Sequence, residues 1–388
     1  MNIALVILHA DPRRGGAERY TVDLATALAA AGHHVDLLTA DSAGPIPAVR
    51  TVFLNSGGLT RSGRYRRFLD SVDRQLADES YDIVHAMLPV NHCDIYHPHA
   101  GLALAALLRG HEKRSSAVMS RLSQLGNQLN PRRRRFAAVE RQLLSPPDGP
   151  VVLCLSEYIK RSIAEYYPLP GDRLATLFNA VDLDKFNPVD RPESRQIVRE
   201  RLGLTESHRV ALFMAQDFAR KGLPAAIDAM ALVNDPTLRL VVVGKQPFAP
   251  YARQAANRGI ASQIVFAGPT DNPADFYRAA DFFVLPTHHD PCSLVVLEAL
   301  AMGLPVISTV RNGACEIMQT GIHGSVLPDP TDIPKLAAAI RNLCDDANRA
   351  TMSRACLDLR PDLAMDAHLQ RLIAIYDQVR GKRSKKTG

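Results

Sequence analysis

The sequence predicts an α/β protein made of two doubly wound domains, each a parallel sheet with helices on both faces. Three observations carry that expectation. Short apolar runs alternate with stretches of helical period, the pattern of strands buried on both sides. The alternation runs through the chain twice. At 388 residues, 46% apolar and 22% charged, the chain has material for two cores, and neither disorder nor a collagen-like repeat fits this composition.

In the first series the strand candidates are Ile3–Leu8, Val35–Thr39, Val52–Leu54, Asp82–His85, Asp94–His97 and Val151–Leu155. A helix is expected over Glu18–Ala31, where Val22, Ala25, Leu28 and Ala29 recur at helical spacing and Gly32 supplies the stop. The second series is Val210–Met214, Leu238–Val243, Ile264–Ala267, Phe282–Leu285, Pro305–Ser308 and Ser325–Leu327. Between them, Asn179–Val189 carries Asn187-Pro188 and closely spaced charges, which are linker signals. The expected organisation is a first domain over 1–180 with a basic amphipathic insertion at about 109–144, and a second domain over 190–362. A C-terminal helix over 363–379 is expected to pack back on the first domain, followed by a basic flexible tail over 380–388.

No apolar run approaches the ~18 residues of a membrane span. The start, Met1–Leu8, is apolar but short and has no basic residue before it, so it reads as a buried strand and not a secretory signal. The six cysteines are scattered with no C-x-x-C pair, which argues against a zinc ribbon or a disulfide framework and for reduced thiols in a cytoplasmic setting.

The net charge of +6 is concentrated. Arg109, Lys113, Arg114, Arg121, Arg132, Arg133, Arg134, Arg135 and Arg141 face only Glu112 and Glu140, and the tail adds Arg380, Lys382, Arg383, Lys385 and Lys386. Val118, Leu122, Leu125 and Leu129 form one helical stripe, and Phe136, Val139 and Leu143 another. A basic amphipathic segment suggests an anionic membrane surface, against the alternative that the stripes pack on their own domain. Nucleic acid is not expected, because Phe136 is the patch's single aromatic residue and the chain has no Trp.

Ligands of doubly wound sheets bind beyond the carboxyl ends of strands, so chemistry-bearing strings should sit just after strands. Four do. Asp11-Pro-Arg-Arg-Gly15-Gly16-Ala-Glu18 follows the first strand and opens the first helix, where glycines permit close backbone approach. Gln216-Asp217-Phe218-Ala219-Arg220-Lys221-Gly222 places two adjacent cations at a helix entry, which suits a diphosphate. In Thr287–Val306, Asp290 stands in a loop and Glu298 two turns into an apolar helix, with Pro291 in the first turn and the amides of Ser293, Leu294 and Val295 near the helix's positive end. A buried Glu298 needs a partner, and ribose hydroxyls would supply one. Tyr96-His97-Pro98-His99-Ala100-Gly101 ends a first-domain strand; two histidines two apart face the same side, but no third ligand with supporting spacing points to a metal. Asp182-Leu183-Asp184 has the form of a metal-binding D-x-D but lies in the linker, and no metal or other cofactor is expected.

Together these strings resemble glycosyltransferase family 4, whose retaining, metal-independent enzymes have the GT-B fold of two Rossmann-like domains facing a cleft with a C-terminal crossover helix. Gly15-Gly16-Ala-Glu resembles that family's amino-terminal glycine loop, Asp82-Ile-Val-His85 its fourth-strand signature, and Asn179-Ala180-Val181-Asp182 with Phe186 its hinge string. Arg220-Lys221-Gly222 resembles its diphosphate loop, and Asp290 to Glu298 its E-x₇-E motif, with Asp where Glu is common. The layout is similar to the lipopolysaccharide core glucosyltransferase I group. The resemblance implies a retaining hexosyltransferase that moves a sugar from a nucleotide-sugar, UDP-linked in preference, to a glycan or glycolipid at the inner face of a bacterial plasma membrane, in lipopolysaccharide core or other envelope glycan synthesis. It implies that Arg220 and Lys221 hold the diphosphate, Glu298 the ribose, and Asp290 with the Leu294 and Val295 amides the sugar and phosphate. The Gly15 and Gly16 amides and His99 would line the reacting centre, and Gly244 and Gly268 the base. A GT-B sugar-nucleotide epimerase and a non-catalytic membrane-associated binding protein are the alternatives.

Overall fold

Runs such as Leu238–Val243, apolar at nearly every position, have no polar face to give to water, so they pair in parallel and are covered on both sides. The computed structural model describes residues 1–99, 101–108, 130–189 and 191–387. The chain divides into two units, one of 1–178 with 368–388 and one of 179–367.

In chain order the first unit contains β1 (Asn2–Val6), β2 (His9–Ala10), α1 (Gly16–Ala30), β3 (His34–Thr39), β4 (Asp41–Ser42), β5 (Arg50–Phe53), α2 (Arg61–Asp78), β6 (Ile83–Ala86), β7 (Ile95–Tyr96), α3 (Ala103–Leu108), α4 (Pro131–Leu144), β8 (Val151–Cys154), α5 (Glu157–Tyr166) and β9 (Leu174–Thr176). Its main sheet has the order β5-β3-β1-β6-β7-β8-β9, parallel throughout. The second unit contains α6 (Arg191–Arg201), β10 (Arg209–Met214), α7 (Leu223–Val233), β11 (Leu238–Val243), α8 (Ala249–Asn257), β12 (Ile264–Gly268), α9 (Pro273–Ala279), β13 (Phe282–Val284), α10 (Leu294–Ala301), β14 (Val306–Thr309), β15 (Gly324–Leu327), α11 (Ile333–Cys344), α12 (Asp346–Asp358) and α13 (Arg360–Leu363). Its parallel sheet has the order β12-β11-β10-β13-β14-β15. In each sheet the winding reverses beside the first strand, between β1 and β6 and between β10 and β13. The loops leaving those strands therefore diverge to opposite faces and open a crevice.

The last helix, α14 (Met365–Thr387), belongs to the first unit from His368 onward. It runs through the segment expected to be a flexible tail. Its bases find carboxylates of that unit: Arg380 reaches Asp82 at 3.2 Å, Lys382 reaches Asp172 at 2.8 Å and Arg383 reaches Asp94 at 3.5 Å. The stripe Phe136, Val139, Leu143 also differs from its membrane reading. Phe136 stacks on Tyr65 at 4.0 Å, and Val139 and Leu143 are each buried in an apolar cluster of that unit. These side chains are consumed by the unit's own core. The other stripe, within 109–129, lies outside the described residues.

α14 is held by a buried polar network. His368 Nδ1 lies 2.8 Å from the Phe178 carbonyl and must donate to it, so Nε2 accepts from the Tyr20 hydroxyl, also at 2.8 Å. His85 Nδ1 meets the Tyr376 hydroxyl at 2.7 Å, and its Nε2 meets His97 Nδ1 at 3.2 Å. Burial drives His85 down to about 3 and His368 down to about 4, and holds His97 well below the usual histidine range. The fold requires these rings neutral. Because their folded values are depressed, the unfolded chain binds protons first as pH falls. This stability is complete above about 6.5, the free-histidine value, and is lost below it by roughly 1.4 kcal/mol per pH unit for each such ring. The urea midpoint should therefore drop steadily from pH 7 to pH 5, before most carboxylates titrate; a flat midpoint over that range would contradict the neutral network.

Candidate functional site

The second unit's site starts from one glycine. Gly222, the cap of α7, has φ +83°, and a Cβ there would lie 2.0 Å from the Pro286 carbonyl oxygen. A side chain is excluded by both backbone conformation and space. The approach presses the loop after β10 against the loop after β13. The Arg220 carbonyl accepts from the His288 N–H at 2.9 Å and from the Thr287 hydroxyl at 3.2 Å. Residues 67 and 68 positions apart in the chain are thereby locked together beyond the carboxyl ends of the neighbouring strands β10 and β13.

The lock aligns Lys221 with Asp290. The lysine Nζ donates to Asp290 Oδ2, and both side chains are about 11% exposed. Asp290 is itself fixed by its backbone, whose N–H donates to the Arg311 carbonyl at 2.9 Å and whose carbonyl accepts from Gly313 at 3.0 Å. Burial pushes the Asp290 carboxyl up, but the Lys221 ammonium and hydrogen bonds from Lys221 and Ser293 outweigh it and hold the group below the usual carboxylate range. Burial draws Lys221 below the usual lysine range against the pull of Asp290. Arg220 is held more loosely, with Nε 3.3 Å from Asp217 and Nη1 3.4 Å from the His289 carbonyl.

α10 begins at Leu294, so Pro291 lies before the helix and Glu298 sits little more than one turn in, not two as the sequence suggested. The reason is local: Cys292 and Ser293 are held outside the helix by Asn179, which donates to the Cys292 carbonyl at 2.9 Å, and by Asn312, which accepts from the Ser293 N–H at 3.3 Å. Leu294 and Val295 are the first helical residues, whose N–H groups have no acceptor within the helix. Glu298 is 4% exposed and accepts from the Tyr277 hydroxyl at 2.8 Å.

Gly244 follows β11, and a Cβ there would meet the Ala215 carbonyl at 2.2 Å and the Phe218 ring at 2.6 Å. Its N–H donates to the Gly268 carbonyl at 2.9 Å. Phe248 stacks on Phe266 at 4.8 Å beside this turn. In the first unit, Gly15 caps α1 in extended conformation and Gly16 is the first helical residue. Four residues on, Tyr20 packs its ring 4.4 Å from His99. β7 ends at Tyr96, so His97 and His99 lie on the turn and not on one strand face. His97 goes inward to His85, and the His97 and His99 rings are 4.8 Å apart.

Residues 14–185 match the family described as Glycosyltransferase Family 4, and residues 208–346 match Glycosyl transferases group 1. The chain is a family 4 glycosyltransferase. It is 25% identical over 334 residues to the lipopolysaccharide glucosyltransferase WaaG of Escherichia coli (strain K12), covering 84% of this chain and 85% of WaaG. It is 29% identical over 415 residues to D-inositol 3-phosphate glycosyltransferase of Thermobispora bispora, covering 97% and 94%. The crystal structure of WaaG matches with a TM-score of 0.77 at 23% identity, covering 93% of this chain and 96% of that one. Anabaena HepE, solved with UDP-glucose, matches at 0.69 and 18% identity, covering 99% and 100%. The fold is GT-B.

In this glycosyltransferase the second unit gathers Arg220, Lys221, Asp290, Ser293, Leu294, Val295 and Glu298 around the β10–β13 edge, with Gly244 and Gly268 hydrogen-bonded beside it at the ends of β11 and β12. The first unit holds Gly15, Gly16 and His99. Sequence reasoning missed Tyr277 and Asn312 and read Asn179 only as part of a hinge string; the three set Glu298 and the start of α10. Tyr277 and Asn312 carry no local signal, because each acts on a partner at least 19 positions away. Removing one partner of a buried ion pair leaves the other uncompensated and costs about 3–5 kcal/mol. Lys221→Met should show a loss of that order in urea unfolding, and Lys221→Met with Asp290→Leu a smaller one. A double variant as unstable as the sum of the two single changes would argue that the pair is not coupled.

Proposed function

We propose that the chain is a retaining hexosyltransferase that moves a sugar from a nucleotide-sugar, UDP-linked in preference, to a glycan or glycolipid acceptor. The observation that carries this is the Arg220-Lys221 pair at the entry of α7, with Lys221 aimed by Asp290 and Glu298 buried on the next edge helix. The solved UDP and UDP-glucose complexes of HepE favour the uridine donor.

In this reading the diphosphate draws on the Lys221 ammonium and the Arg220 fork, which neutralise the charge that grows on the leaving group. The Leu294 and Val295 amides at the positive end of α10 add two donors. Tyr277 fixes the Glu298 carboxylate so that its remaining lone pairs meet the ribose hydroxyls. The base lies against the Gly244–Gly268 turn, where backbone and not side chain meets it. Asp290 serves twice, fixing Lys221 and presenting oxygen to the sugar hydroxyls. The acceptor's proton passes to a phosphate oxygen of the leaving group, so no separate base is needed and no divalent ion is required. Gly15, Gly16 and His99 line the reacting centre. The enzyme works peripherally at the cytoplasmic face of the plasma membrane, in lipopolysaccharide core or related envelope glycan synthesis. Because the Phe136 stripe is spent on the core, α4 would contribute charge to that surface and not apolar insertion.

UDP should raise the thermal midpoint equally with and without magnesium, and Glu298→Ala should remove most of that shift. With an acceptor found, Arg220→Ala should lower kcat by about 10²–10³. Strict dependence on magnesium, or a rearranged nucleotide-sugar as product, would overturn the transferase reading.

A further inference from the structure

One carboxylate of the first unit is buried without a cation. Glu140 in α4 is 0% exposed and has no ion-pair partner among the described residues. Its Oε2 accepts from the Tyr96 hydroxyl and the Ala103 N–H, each at 2.7 Å, and its Oε1 from the Leu104 N–H and the Tyr167 hydroxyl, each at 3.0 Å. Two donors on each oxygen fit an ionised carboxylate. Burying such a charge is costly even when hydrogen bonds compensate it, and an apolar side chain of similar size would avoid that cost. The geometry therefore points beyond stability, to what the four donors have in common.

Three of the four flank His99. Tyr96 ends β7 just before it, and Ala103 and Leu104 open α3 just after it. These elements are too short to hold the turn between them unaided, two residues for β7 and six for α3. Local hydrogen bonds shape the turn, from the His99 N–H to the His97 carbonyl at 2.7 Å and from the Gly101 N–H to the Pro98 carbonyl at 2.8 Å, with Gly101 at φ +84°. His97 ties its start to β6, its N–H donating to the Ala86 carbonyl at 2.8 Å and its ring meeting His85. On the return side the first two amides of α3 go to Glu140, and the same carboxylate holds Tyr96. The base it offers is rigid: Ala137, Val139, Leu143 and Leu144 of α4 are buried, and Phe136 stacks on Tyr65. The fourth donor, Tyr167, caps α5 and belongs to neither flank. The His99 ring lies 4.4 Å from the Tyr20 ring and 4.8 Å from that of His97.

We propose that Glu140 is a positioning residue for His99, tying both flanks of its turn to α4 so that the imidazole keeps a fixed place at the reacting centre. This deepens the transferase reading and rests on it for the role of His99. Glu140 itself touches no substrate. It acts through the backbone that carries the ring. Misplacing a group at a reacting centre by about 1 Å can cost roughly 10²-fold in rate. The donor's hold in the second unit depends on other residues. Glu140 therefore governs turnover and leaves donor affinity alone.

The test compares full-length wild type with Glu140→Gln, Tyr96→Phe, Tyr167→Phe, His99→Gln and Glu140→Gln/His99→Gln. Thermal midpoints show which variants fold; if Glu140→Gln does not, Tyr96→Phe takes its place, alone and with His99→Gln. The imidazole resonance of His99, assigned by its loss in His99→Gln, should shift in Glu140→Gln and Tyr96→Phe, while that of His323 in the second unit stays put. Calorimetric affinity for UDP-glucose should stay within about twofold, and its hydrolysis without acceptor should fall by about tenfold or more. His99→Gln should lower turnover too, and the double variant no further than the slower single one, because both changes act at one point. Tyr167→Phe removes a donor from the same carboxylate and should cost similar stability with a smaller loss of turnover than Tyr96→Phe. An unmoved His99 resonance, losses that multiply in the double variant, or equal losses in the two tyrosine variants overturn the assignment. Wild type that neither binds nor hydrolyses UDP-glucose would count against the nucleotide-sugar reading instead, and the His99 resonance would then decide the positioning by itself.

Discussion

The second unit is arranged around a buried lysine ammonium facing a buried aspartate carboxylate. Neither charge is tolerable there alone, since each loses several kcal/mol of hydration on burial. Their pairing demands that two loops far apart in sequence meet to within hydrogen-bond distance. The parallel sheet brings β10 and β13 together as neighbours, and Gly222 lets one loop rest directly on the other's backbone. The hydrogen bonds of Thr287 and His288 to the Arg220 carbonyl then remove the remaining freedom. A lysine held this way is preorganised, because its side-chain entropy is lost on folding and not when a ligand arrives.

The first unit solves a similar burial problem with opposite chemistry. Its interior polar groups are chiefly imidazoles and phenols, and Tyr20 with His368, Tyr376 with His85 and His85 with His97 hydrogen-bond without charge. That choice suits a joint that must be dry. α14 inserts His368 and Tyr376 into the unit, and each finds a neutral hydrogen-bond partner. Glu140 is the exception, a buried carboxylate taking hydrogen bonds from Tyr96, Tyr167 and the amides of Ala103 and Leu104. Four donors compensate one charge, so α4 is fastened to the start of α3, to the end of β7 and to the residue that caps α5.

Much of this was legible in the residues. Strands such as Leu238–Val243 announce themselves because burial on both faces leaves only Arg239 polar, and the observed bounds coincide. The string after β10 was visible for its adjacent cations and glycine at a helix entry, and the one after β13 for its acids before and within an apolar helix. What escaped was whatever depends on packing partners. Leu174–Thr176 is too short to carry a period, yet pairs as the edge strand β9. The start of α10 moved past Pro291 because Asn179 and Asn312 hold the preceding backbone, and neither is readable beside it. The terminal bases looked like a disordered end by composition alone. Their carboxylates at Asp82, Asp94 and Asp172 are scattered along the first unit, so the helix they stabilise has no local signature.

The six cysteines remain unpaired thiols, and burial raises every one of them, to about 11 at Cys344 and about 12 at Cys154, Cys315 and Cys356. Cys93 and Cys292 are pushed up by the same cause. Alkylating reagents attack the thiolate, so folded protein offers them almost none. Each of the buried thiols Cys154, Cys292, Cys315 and Cys356 becomes a clock that starts only when its surroundings open. Cys154 times the first unit, and Cys292, Cys315 and Cys356 the second. Cys292, one peptide from Ser293, reports on the very turn that Asn179 and Asn312 hold. Residue-resolved labelling rates therefore read local opening of the two units separately, with reporters the sequence already contains.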